Sequence, residues 1–258
     1  MHVEVIGRGP PLVLLHGWAM HGGVFAPLVQ RLQATRTLHI VDLPGHGDSR
    51  DCDVPLTLEA TTQAILDAVP MAPWCGWSLG GLLALHAAST QPHHVPALIM
   101  LCATPKFVRS DDWPRGMPVE VFQSFADGLR EDWRGTLERF IALEAFGSDH
   151  AREELRMLQS DLFARGEPAP HVLANGLTLL EASDLRASLQ NLMVPSLWLA
   201  GRRDRLVDPR AMQQASSATE NARYAQVEHA GHAPFLTQAE VVARHLLDFL
   251  GDVECARQ

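Results

Sequence analysis

Gly76-Trp77-Ser78-Leu79-Gly80 is the stretch of sequence that decides the fold of this chain. It lies between residues 73–76, which are typical of the end of a short buried strand, and residues 79–89, which are Ala/Leu-rich and typical of a helix. A G-x-S-x-G pattern in that setting predicts a sharp, strained turn that exposes the serine hydroxyl. Both glycines are needed because a Cβ at either position would collide across so tight a bend. Taken alone, the pattern more often marks an ordinary turn of small residues, so the surrounding sequence decides its meaning.

Short apolar runs recur along the chain, and each has the length and composition of a buried β-strand. These runs are residues 3–6, 12–15, 37–41, 73–76, 97–101, 196–200 and 223–227. Stretches of helical pattern separate them. Near-continuous apolar strands that alternate with helices predict an α/β fold, in which helices flank both faces of a mostly parallel central sheet.

The alternation is interrupted once, over residues 106–184, where the pattern is helical throughout. Trp133, Leu137 and Phe140 have the spacing of one apolar face of a helix. We therefore predict a helical lid at residues 106–184. It would be inserted between two strands of an α/β core made of residues 1–105 and 185–258.

Length and composition limit the class of protein. With 258 residues, 47% of them hydrophobic, the chain has room for one α/β domain with an insertion or for two small domains. The formal net charge of −9 argues against nucleic acid as a partner, because nucleic acid requires a basic face. No apolar run approaches the roughly 20 residues of a membrane span, and the N-terminus lacks the pattern of a secretory signal. We expect a cytoplasmic monomer with no membrane partner.

Three residues in the chain order Ser, Asp, His have the types and positions of a catalytic triad. Ser78 would be the nucleophile, but a serine hydroxyl reacts poorly until a base removes its proton. His232 is the candidate base, and Asp204 would hold that imidazole in the required tautomer and orientation. Each follows a predicted strand, and ligands bind at the carboxyl ends of strands in open α/β sheets. The sequence therefore predicts a serine hydrolase.

Two neighbouring residues are alternative members of this triad. His229 is a second candidate base, although a surface histidine beside the site would explain it as well. Asp208 is a second candidate acid, but it directly precedes Pro209 and fits the N-cap of a helix. We favour His232 and Asp204. No third ligand accompanies His229 and His232 at a spacing typical of zinc, so we expect neither a metal nor another cofactor.

A tetrahedral intermediate on Ser78 would need two preorganised N–H donors for its oxyanion. The backbone amide of Leu79 directly follows the nucleophile and lies at a helix N-terminus, so it is the first candidate. The second is the amide of Trp18, in the stretch Leu14-Leu15-His16-Gly17-Trp18 after an earlier strand. The indole of Trp18 would also line the pocket, unless this residue is simply a core aromatic.

Four motifs together resemble the α/β-hydrolase superfamily. They are His16-Gly17-Trp18, Asp42-Leu43-Pro44-Gly45-His46-Gly47-Asp48-Ser49, Gly76-Trp77-Ser78-Leu79-Gly80-Gly81 and His232-Ala233-Pro234-Phe235. A narrower resemblance rests on Trp18, on the Trp77-Ser78-Leu79 turn and on Glu138-Arg139-Phe140-Ile141-Ala142-Leu143. These resemble the methyl ester carboxylesterases that act on pimeloyl-[acyl carrier protein] in biotin synthesis. The similarity runs almost end to end.

This resemblance implies an enzyme that removes the methyl group from a pimeloyl chain tethered to acyl carrier protein and releases methanol. It places the nucleophile, the acid and the base on Ser78, Asp204 and His232. Small esters would be substrates in vitro. The implied substrate contacts are Trp18, Ser78, Leu79, Phe140, Ile141, Ala142, Leu143, Glu144 and His232.

The resemblance also implies that lid arginines hold the acidic carrier protein. The matching positions here include Arg139, Arg152 and Arg156. Another arginine of the family aligns with Gly135, and whether Arg134 beside it serves instead stays open. A chain of net charge −9 would need such a local positive patch to bind an acidic partner.

The alternative to docking, for two of these arginines, is that each forms an ordinary surface salt bridge. Arg152 and Arg156 are four residues apart and would share one helix face. Arg152 would then pair with Asp149, and Arg156 with Glu153. The residues alone do not separate docking from surface pairing, and the resemblance favours docking.

The triad does not separate the enzymes of the superfamily from one another. A broad-specificity short-chain carboxylesterase and a carbon–carbon bond hydrolase are therefore alternatives. A dehalogenase is disfavoured because it would have aspartate in place of Ser78. A hydrolase-like receptor that binds a ligand with little turnover is less favoured, since Ser78, Asp204 and His232 are all present. Turnover of a p-nitrophenyl ester would separate an enzyme from a receptor.

Overall fold

A computed structural model describes residues 1–256, and a seven-stranded sheet forms the centre of the molecule. The strands are β1 (Val3–Gly7), β2 (Pro11–Leu15), β3 (Thr37–Val41), β4 (Trp74–Trp77), β5 (Leu98–Leu101), β6 (Ser196–Gly201) and β7 (Ala222–Val227). Each apolar run that predicts a strand forms one, and no strand end differs from its predicted position by more than one residue. The α/β fold class is confirmed.

The strand order β1-β3-β2-β4-β5-β6-β7 determines which loops meet. β1 is antiparallel to β3, and all the other neighbouring strands are parallel. Every residue of β4, β5 and β6 is buried, as a strand covered on both faces requires. The order reverses at β2, which has β3 on one side and β4 on the other. A crevice therefore opens at the carboxyl ends of β2 and β4, where open α/β sheets bind ligands.

Helices pack on the sheet and also form the segment above its carboxyl edge. They are α1 (Ala26–Leu32), α2 (Leu58–Ala68), α3 (Leu79–Thr90), α4 (Val119–Glu131), α5 (Trp133–Ala145), α6 (Ala151–Leu162), α7 (Pro170–Ala182), α8 (Arg186–Leu189), α9 (Pro209–Ser217), α10 (Pro234–Thr237) and α11 (Ala239–Cys255). Helices α4 to α7 lie between β5 and β6 in the chain, within the predicted lid. Among residues 1–256, no helix is long and apolar enough to cross a membrane.

The first part of the predicted lid is not helical. Residues 106–118 form an irregular segment, in which the Trp113 indole donates a hydrogen bond to the Lys106 carbonyl oxygen at 3.0 Å. The expectation of helix throughout residues 106–184 is wrong here because Pro114 and Pro118 lack the amide proton that a helix interior needs. Helix begins only at Val119, directly after Pro118.

The two ends of the lid meet at Lys106 and Asp184. These residues form an antiparallel bridge, and the Lys106 ammonium lies 3.1 Å from the Asp184 carboxylate. The Arg186 guanidinium binds the same carboxylate at 2.7 Å. The chain therefore leaves the core and returns to it at nearly one point. The division into a core of residues 1–105 and 185–258 and a lid of residues 106–184 stays a prediction, and this contact lies at its boundary.

Candidate active site

Ser78 lies on the sharp turn between β4 and α3. Its backbone has φ 54° and ψ −117°, a conformation that residues other than glycine rarely adopt. The turn is so tight that a Cβ on Gly76 would overlap the Gly80 carbonyl, and a Cβ on Gly80 would overlap the Leu15 carbonyl of the neighbouring strand. The G-x-S-x-G pattern therefore forms the strained turn that it predicts. The turn presents a nearly buried serine at the carboxyl edge of the sheet.

Asp204 and His232 form a buried pair at the same edge. The Nδ1 atom of His232 lies 2.8 Å from an Asp204 carboxylate oxygen, while the other oxygen accepts hydrogen bonds from the amides of Leu206 (2.8 Å) and Val207 (2.9 Å). A carboxylate can only accept, so Nδ1 donates and Nε2 of the neutral ring keeps its lone pair. That Nε2 is buried and has no hydrogen-bond partner within residues 1–256. It is available to accept a proton.

The backbone of His232 is held from two sides. The indole of Trp77, which precedes the nucleophile, donates to the His232 carbonyl oxygen at 2.8 Å. The amide of His232 donates to the carbonyl oxygen of Glu144 in α5, at 3.3 Å. The first contact links the base to the turn that carries Ser78, and the second links it to the lid.

The structure does not bring the alternative residues into this arrangement. His229 is exposed, and its Nδ1 atom lies 2.9 Å from an Asp149 carboxylate oxygen on the surface. Asp208 caps the N-terminus of α9, where its side chain accepts the Arg210 amide at 2.8 Å. The arrangement of Asp204 and His232 thus supports the favoured triad over its alternatives.

The two candidate oxyanion donors lie on adjacent loops. Leu79 is the first residue of α3, where a backbone amide has no partner within the helix. Trp18 follows β2, whose Leu15 pairs with Gly76 of β4. Their loops are in close contact, since a Cβ added to Gly17 would lie 3.2 Å from the Ser78 Cβ. This adjacency supports the proposal that both amides face an oxyanion on Ser78.

The side chain of Trp18 belongs to the interface between the core and the lid. It is fully buried, and its indole donates to the Leu173 carbonyl oxygen of α7 at 2.9 Å. Its ring packs edge-on against Phe140 of α5, with the ring centroids 4.6 Å apart. Trp18 therefore supports the lid rather than standing free in a pocket.

His16 is a supporting residue that sequence reasoning did not assign. Its Nδ1 donates to the Gly17 carbonyl oxygen at 2.8 Å, and its Nε2 accepts from the Leu43 amide at 2.9 Å. Burial and the neighbouring His46 lower the pKa of His16 to about 3, so the ring stays neutral. It ties the Trp18 loop to the loop after β3. The sequence signal that could have indicated this contact is the presence of His16 and Leu43 in two of the motifs that resemble the superfamily.

A small cavity of about 30 Å³ lies against Ser78. Apart from Ser78 its wall is apolar, and it consists of Phe107, Met117, Val121, Phe122, Phe125, Phe140, Leu177, Leu180 and Leu206. Ligand pockets typically measure about 300–1,000 Å³. The lid therefore has to move before an acyl chain can enter. Of this wall, the sequence analysis assigned only Phe140, although the apolar spacing of Phe122 and Phe125 on α4 was a usable signal.

The implied substrate contacts of the lid do not form one continuous surface. Phe140 lines the cavity, whereas Ala142 is exposed and Leu143 lies on a separate outer groove. Ile141 and Glu144 are fully buried, but neither lines the Ser78 cavity. All five residues lie in α5, and successive residues of a helix point in different directions. Of these five residues, only Phe140 lines the cavity.

Glu144 is an unusual buried acid close to the triad. Within residues 1–256, neither of its carboxyl oxygens has a hydrogen-bond partner. Burial, together with the nearby charge of Asp204, raises the pKa of Glu144 well above its ordinary value. The side chain is therefore held as a neutral acid, because a second carboxylate beside Asp204 would be strongly unfavourable.

The implied docking arginines lie on the surface of the lid. Arg152 and Arg156 are exposed on α6, and neither makes an ion pair within residues 1–256. The alternative of surface pairing with Asp149 and Glu153 is wrong, since Asp149 instead pairs with Arg203.

Arg139 and Arg134, the other two lid arginines considered for docking, make local contacts. Arg139 on α5 donates to the Thr136 hydroxyl at 2.6 Å. Arg134 pairs with Glu167 and lies over the ring of Trp133, 5.0 Å from its centroid. Arg134 is therefore already engaged within the lid, which weakens it as a replacement for an arginine at Gly135.

One cluster within residues 1–256 has the composition of a cation site. His2, Asp42 and Asp48 bring their ligand atoms within 4.8 Å of one another. The guanidinium of Arg165 already lies there, 3.3 Å from Asp42 and 3.6 Å from Asp48. A positive side chain thus already balances these carboxylates, so the cluster gives no support for a bound metal.

Comparison with known proteins agrees with this geometry. Residues 10–239 match the family model described as the alpha/beta hydrolase fold. The chain belongs to the α/β-hydrolase family. This hydrolase is 56% identical over 256 residues to a pimeloyl-[acyl-carrier protein] methyl ester esterase of Stenotrophomonas maltophilia, with 99% of this chain and 98% of that protein covered. It is 55% identical to the protein of the same name from Xanthomonas axonopodis pv. citri, with 98% and 100% covered. The narrower resemblance is confirmed.

Solved structures show the same hydrolase fold. An esterase from Exiguobacterium antarcticum matches with a TM-score of 0.85 at 22% identity, and the match covers 97% of this hydrolase and 95% of that chain. The enol-lactonase from Burkholderia xenovorans LB400 matches with a TM-score of 0.84 at 22% identity, covering 97% and 96%. At this level of identity, the likeness concerns the fold alone.

Proposed function

We propose that this hydrolase is a serine carboxylesterase that cleaves the methyl ester of pimeloyl-[acyl carrier protein]. The observation that carries the proposal is the buried His232–Asp204 pair. Its Nε2, which has no hydrogen-bond partner among residues 1–256, lies at the same sheet edge as Ser78. The full-length relatives at 55–56% identity bear the name of that activity. Chemistry and relatives therefore favour the same reaction.

In the proposed reaction, Oγ of Ser78 bonds to the ester carbonyl carbon as its proton passes to Nε2 of His232. The amides of Leu79 and Trp18 stabilise the resulting oxyanion. The bond from that carbon to the methoxy oxygen then breaks, and His232 protonates the leaving group to give methanol. Water repeats the attack on the acyl-serine, which regenerates Ser78 and releases a carboxylate.

The apolar wall of the Ser78 cavity fits this substrate. Among the residues that the structure describes, no charged side chain lines the cavity, so a chain that ends in an uncharged methyl ester can be buried there. The product ends in a carboxylate, and burial of an unpaired charge in such surroundings is costly. The same wall that accepts the substrate therefore favours release of the product.

Incubation of the purified protein with pimeloyl-[acyl carrier protein] methyl ester tests the proposal. We expect methanol to be released and the carrier-bound chain to lose one methylene in mass. Ser78→Ala is the matched control, because it removes the nucleophile and retains the fold. The protein should also restore growth without biotin to a strain that lacks this esterase.

Two other results would indicate the alternatives. Hydrolysis of p-nitrophenyl butyrate without action on the carrier-bound ester would indicate a broad-specificity esterase. Binding of esters without turnover of either substrate would indicate a receptor.

A further inference from the structure

The two loops that carry the acid and the base of the triad meet at a pair of glycines. The acid loop, residues 201–204, begins with Gly201 at the end of β6, and the base loop, residues 228–232, follows β7 and has Gly231 directly before His232. The two glycines are so close that a Cβ added to Gly201 would overlap the Gly231 carbonyl oxygen. The spacing between acid and base therefore depends on how these two backbones pack.

The thiol of Cys102 lies against this contact. Cys102 directly follows the last residue of β5, and it is fully buried. Its Sγ accepts a hydrogen bond from the Gly201 amide at 3.3 Å. The same sulfur lies 4.0 Å from the Gly231 carbonyl oxygen, to which the thiol can donate weakly. One side chain from a third strand thus contacts the acid loop and the base loop together.

The thiol also contacts the acid itself. Burial and the charge of the Asp204 carboxylate, which also accepts a hydrogen bond from the thiol, raise the pKa of Cys102 well above its ordinary value. The thiol therefore keeps its proton and stays a donor beside the carboxylate. It adds to the two amide donors, from Leu206 and Val207, that already hold Asp204.

The backbone of Cys102 points to a role for its side chain. Its φ is 45°, in the left-handed region that favours glycine. Strain of this kind persists only where the surrounding structure imposes it, and it is concentrated at functional sites. Glycine would adopt this conformation more easily, so the backbone does not account for a cysteine here. The contacts of the thiol do.

We propose that Cys102 is a positioning residue of the triad, whose thiol fixes the acid loop against the base loop and so aligns Asp204 with His232. The proposal rests on the triad of the proposed function. Cys102 does not line the Ser78 cavity, so it has no contact there with a bound ester. Its loss should therefore affect kcat and leave KM unchanged.

Substitutions at two buried cysteines test the proposal. Cys102→Ala removes the thiol, whereas Cys102→Ser retains a group that can both donate and accept. Cys75→Ala is the matched control, because Cys75 is equally buried, within β4, and burial alone raises the pKa of its thiol, to about 12. Cys102→Gly is a second deletion of the thiol. Glycine suits the left-handed backbone, so this variant should fold even if the alanine variant is unstable.

On p-nitrophenyl butyrate we expect Cys102→Ala and Cys102→Gly to lower kcat about tenfold without a change in KM. Cys102→Ser should recover most of that loss, because its hydroxyl can make the same hydrogen bonds. Cys75→Ala should keep the parental kcat, even if urea unfolding shows a comparable loss of stability. Parental kcat in both deletion variants, or an equal loss of kcat in Cys75→Ala, would overturn the proposal.

A proton NMR measurement separates this proposal from the proposed function. The Nδ1 proton of His232, held between the imidazole and Asp204, gives a strongly deshielded resonance, which is assigned by its loss in His232→Gln. This signal does not depend on hydrolysis. A shift of the resonance in Cys102→Ala that Cys102→Ser reverses supports the proposal even if the parent cleaves no ester. An unchanged resonance in Cys102→Ala overturns it even if the parent is an active esterase.

Discussion

The indole of Trp77 donates a hydrogen bond to the backbone carbonyl of His232, 155 residues further along the chain, at 2.8 Å. Trp77 also packs edge-on against Phe235, with the ring centroids 5.0 Å apart. The residue before the nucleophile thus positions the loop of the base. The spacing between Ser78 and His232 therefore depends on a side chain that takes no part in the chemistry.

Trp77→Phe should lower kcat with little change in KM. The substitution retains a buried ring but leaves the His232 carbonyl without its donor, which costs about 1–3 kcal/mol of stability. Steady-state kinetics on p-nitrophenyl butyrate and urea unfolding measure the two effects. Trp198→Phe is the matched control, because it removes an indole hydrogen bond to Ser196 in β6. If Trp198→Phe reduced kcat as much, the effect would be one of general packing.

Asp204→Asn should lower kcat on the order of 10⁴-fold, as in the best-studied triad. An amide at this position favours the wrong imidazole tautomer of His232. Asp208→Asn should change kcat little, since Asp208 caps α9 and makes no contact with the imidazole. Kinetics of the two variants on one small ester decide the matter. Greater damage from Asp208→Asn would mean that the acid is assigned to the wrong residue.

Ser78→Gly should be more stable than Ser78→Ala, although both variants are inactive. The left-handed backbone at Ser78 strains any residue with a Cβ, at a cost of about 1–3 kcal/mol, and glycine relieves that strain. The greater freedom of glycine in the unfolded chain offsets about 0.5–1 kcal/mol of the gain. Thermal unfolding of the two variants measures the difference. Equal melting temperatures would show that the turn stores no strain.

Glu144→Gln should gain stability relative to the parent as pH rises. Burial and the Asp204 charge keep Glu144 protonated in the folded state above pH 4.5, whereas the unfolded chain loses that proton. The parent therefore loses unfolding free energy as pH rises above 4.5, by at most about 1.4 kcal/mol per pH unit, and glutamine does not. Urea unfolding at pH 5 and pH 7 measures the difference. A constant gap between the two proteins would mean that Glu144 is ionised in the fold.

The sequence predicts the sheet well because its signals are local. Residues 196–200 are a continuous apolar run of strand length, and the Ser78 turn is encoded within five residues. Residues 106–118 show the limit of that approach. Their apolar pattern fits a helix, but Pro114 and Pro118 prevent one from forming.

Features that depend on distant contacts could not be predicted. The outer groove that Leu143 lines also brings Arg115 and Arg205 together, although most of the lid lies between them in the chain, and no pattern in the sequence relates the two. The same holds for Glu144, which the family resemblance implies as a substrate contact and the fold buries. Which face of a lid helix meets the core is decided by packing between elements.

The junction at Lys106 and Asp184 has a consequence for how this fold diversifies. Beneath it β5 and β6 pair directly, from Leu98 with Ser196 to Leu101 with Leu199, so the sheet closes without the lid. A lid from another hydrolase, inserted at that junction, would change which esters reach Ser78 and leave the nucleophile itself unchanged. Such an exchange must preserve one contact. The new lid needs a backbone carbonyl at the position where the Glu144 carbonyl now accepts the amide of His232, because without it the catalytic base would be misplaced.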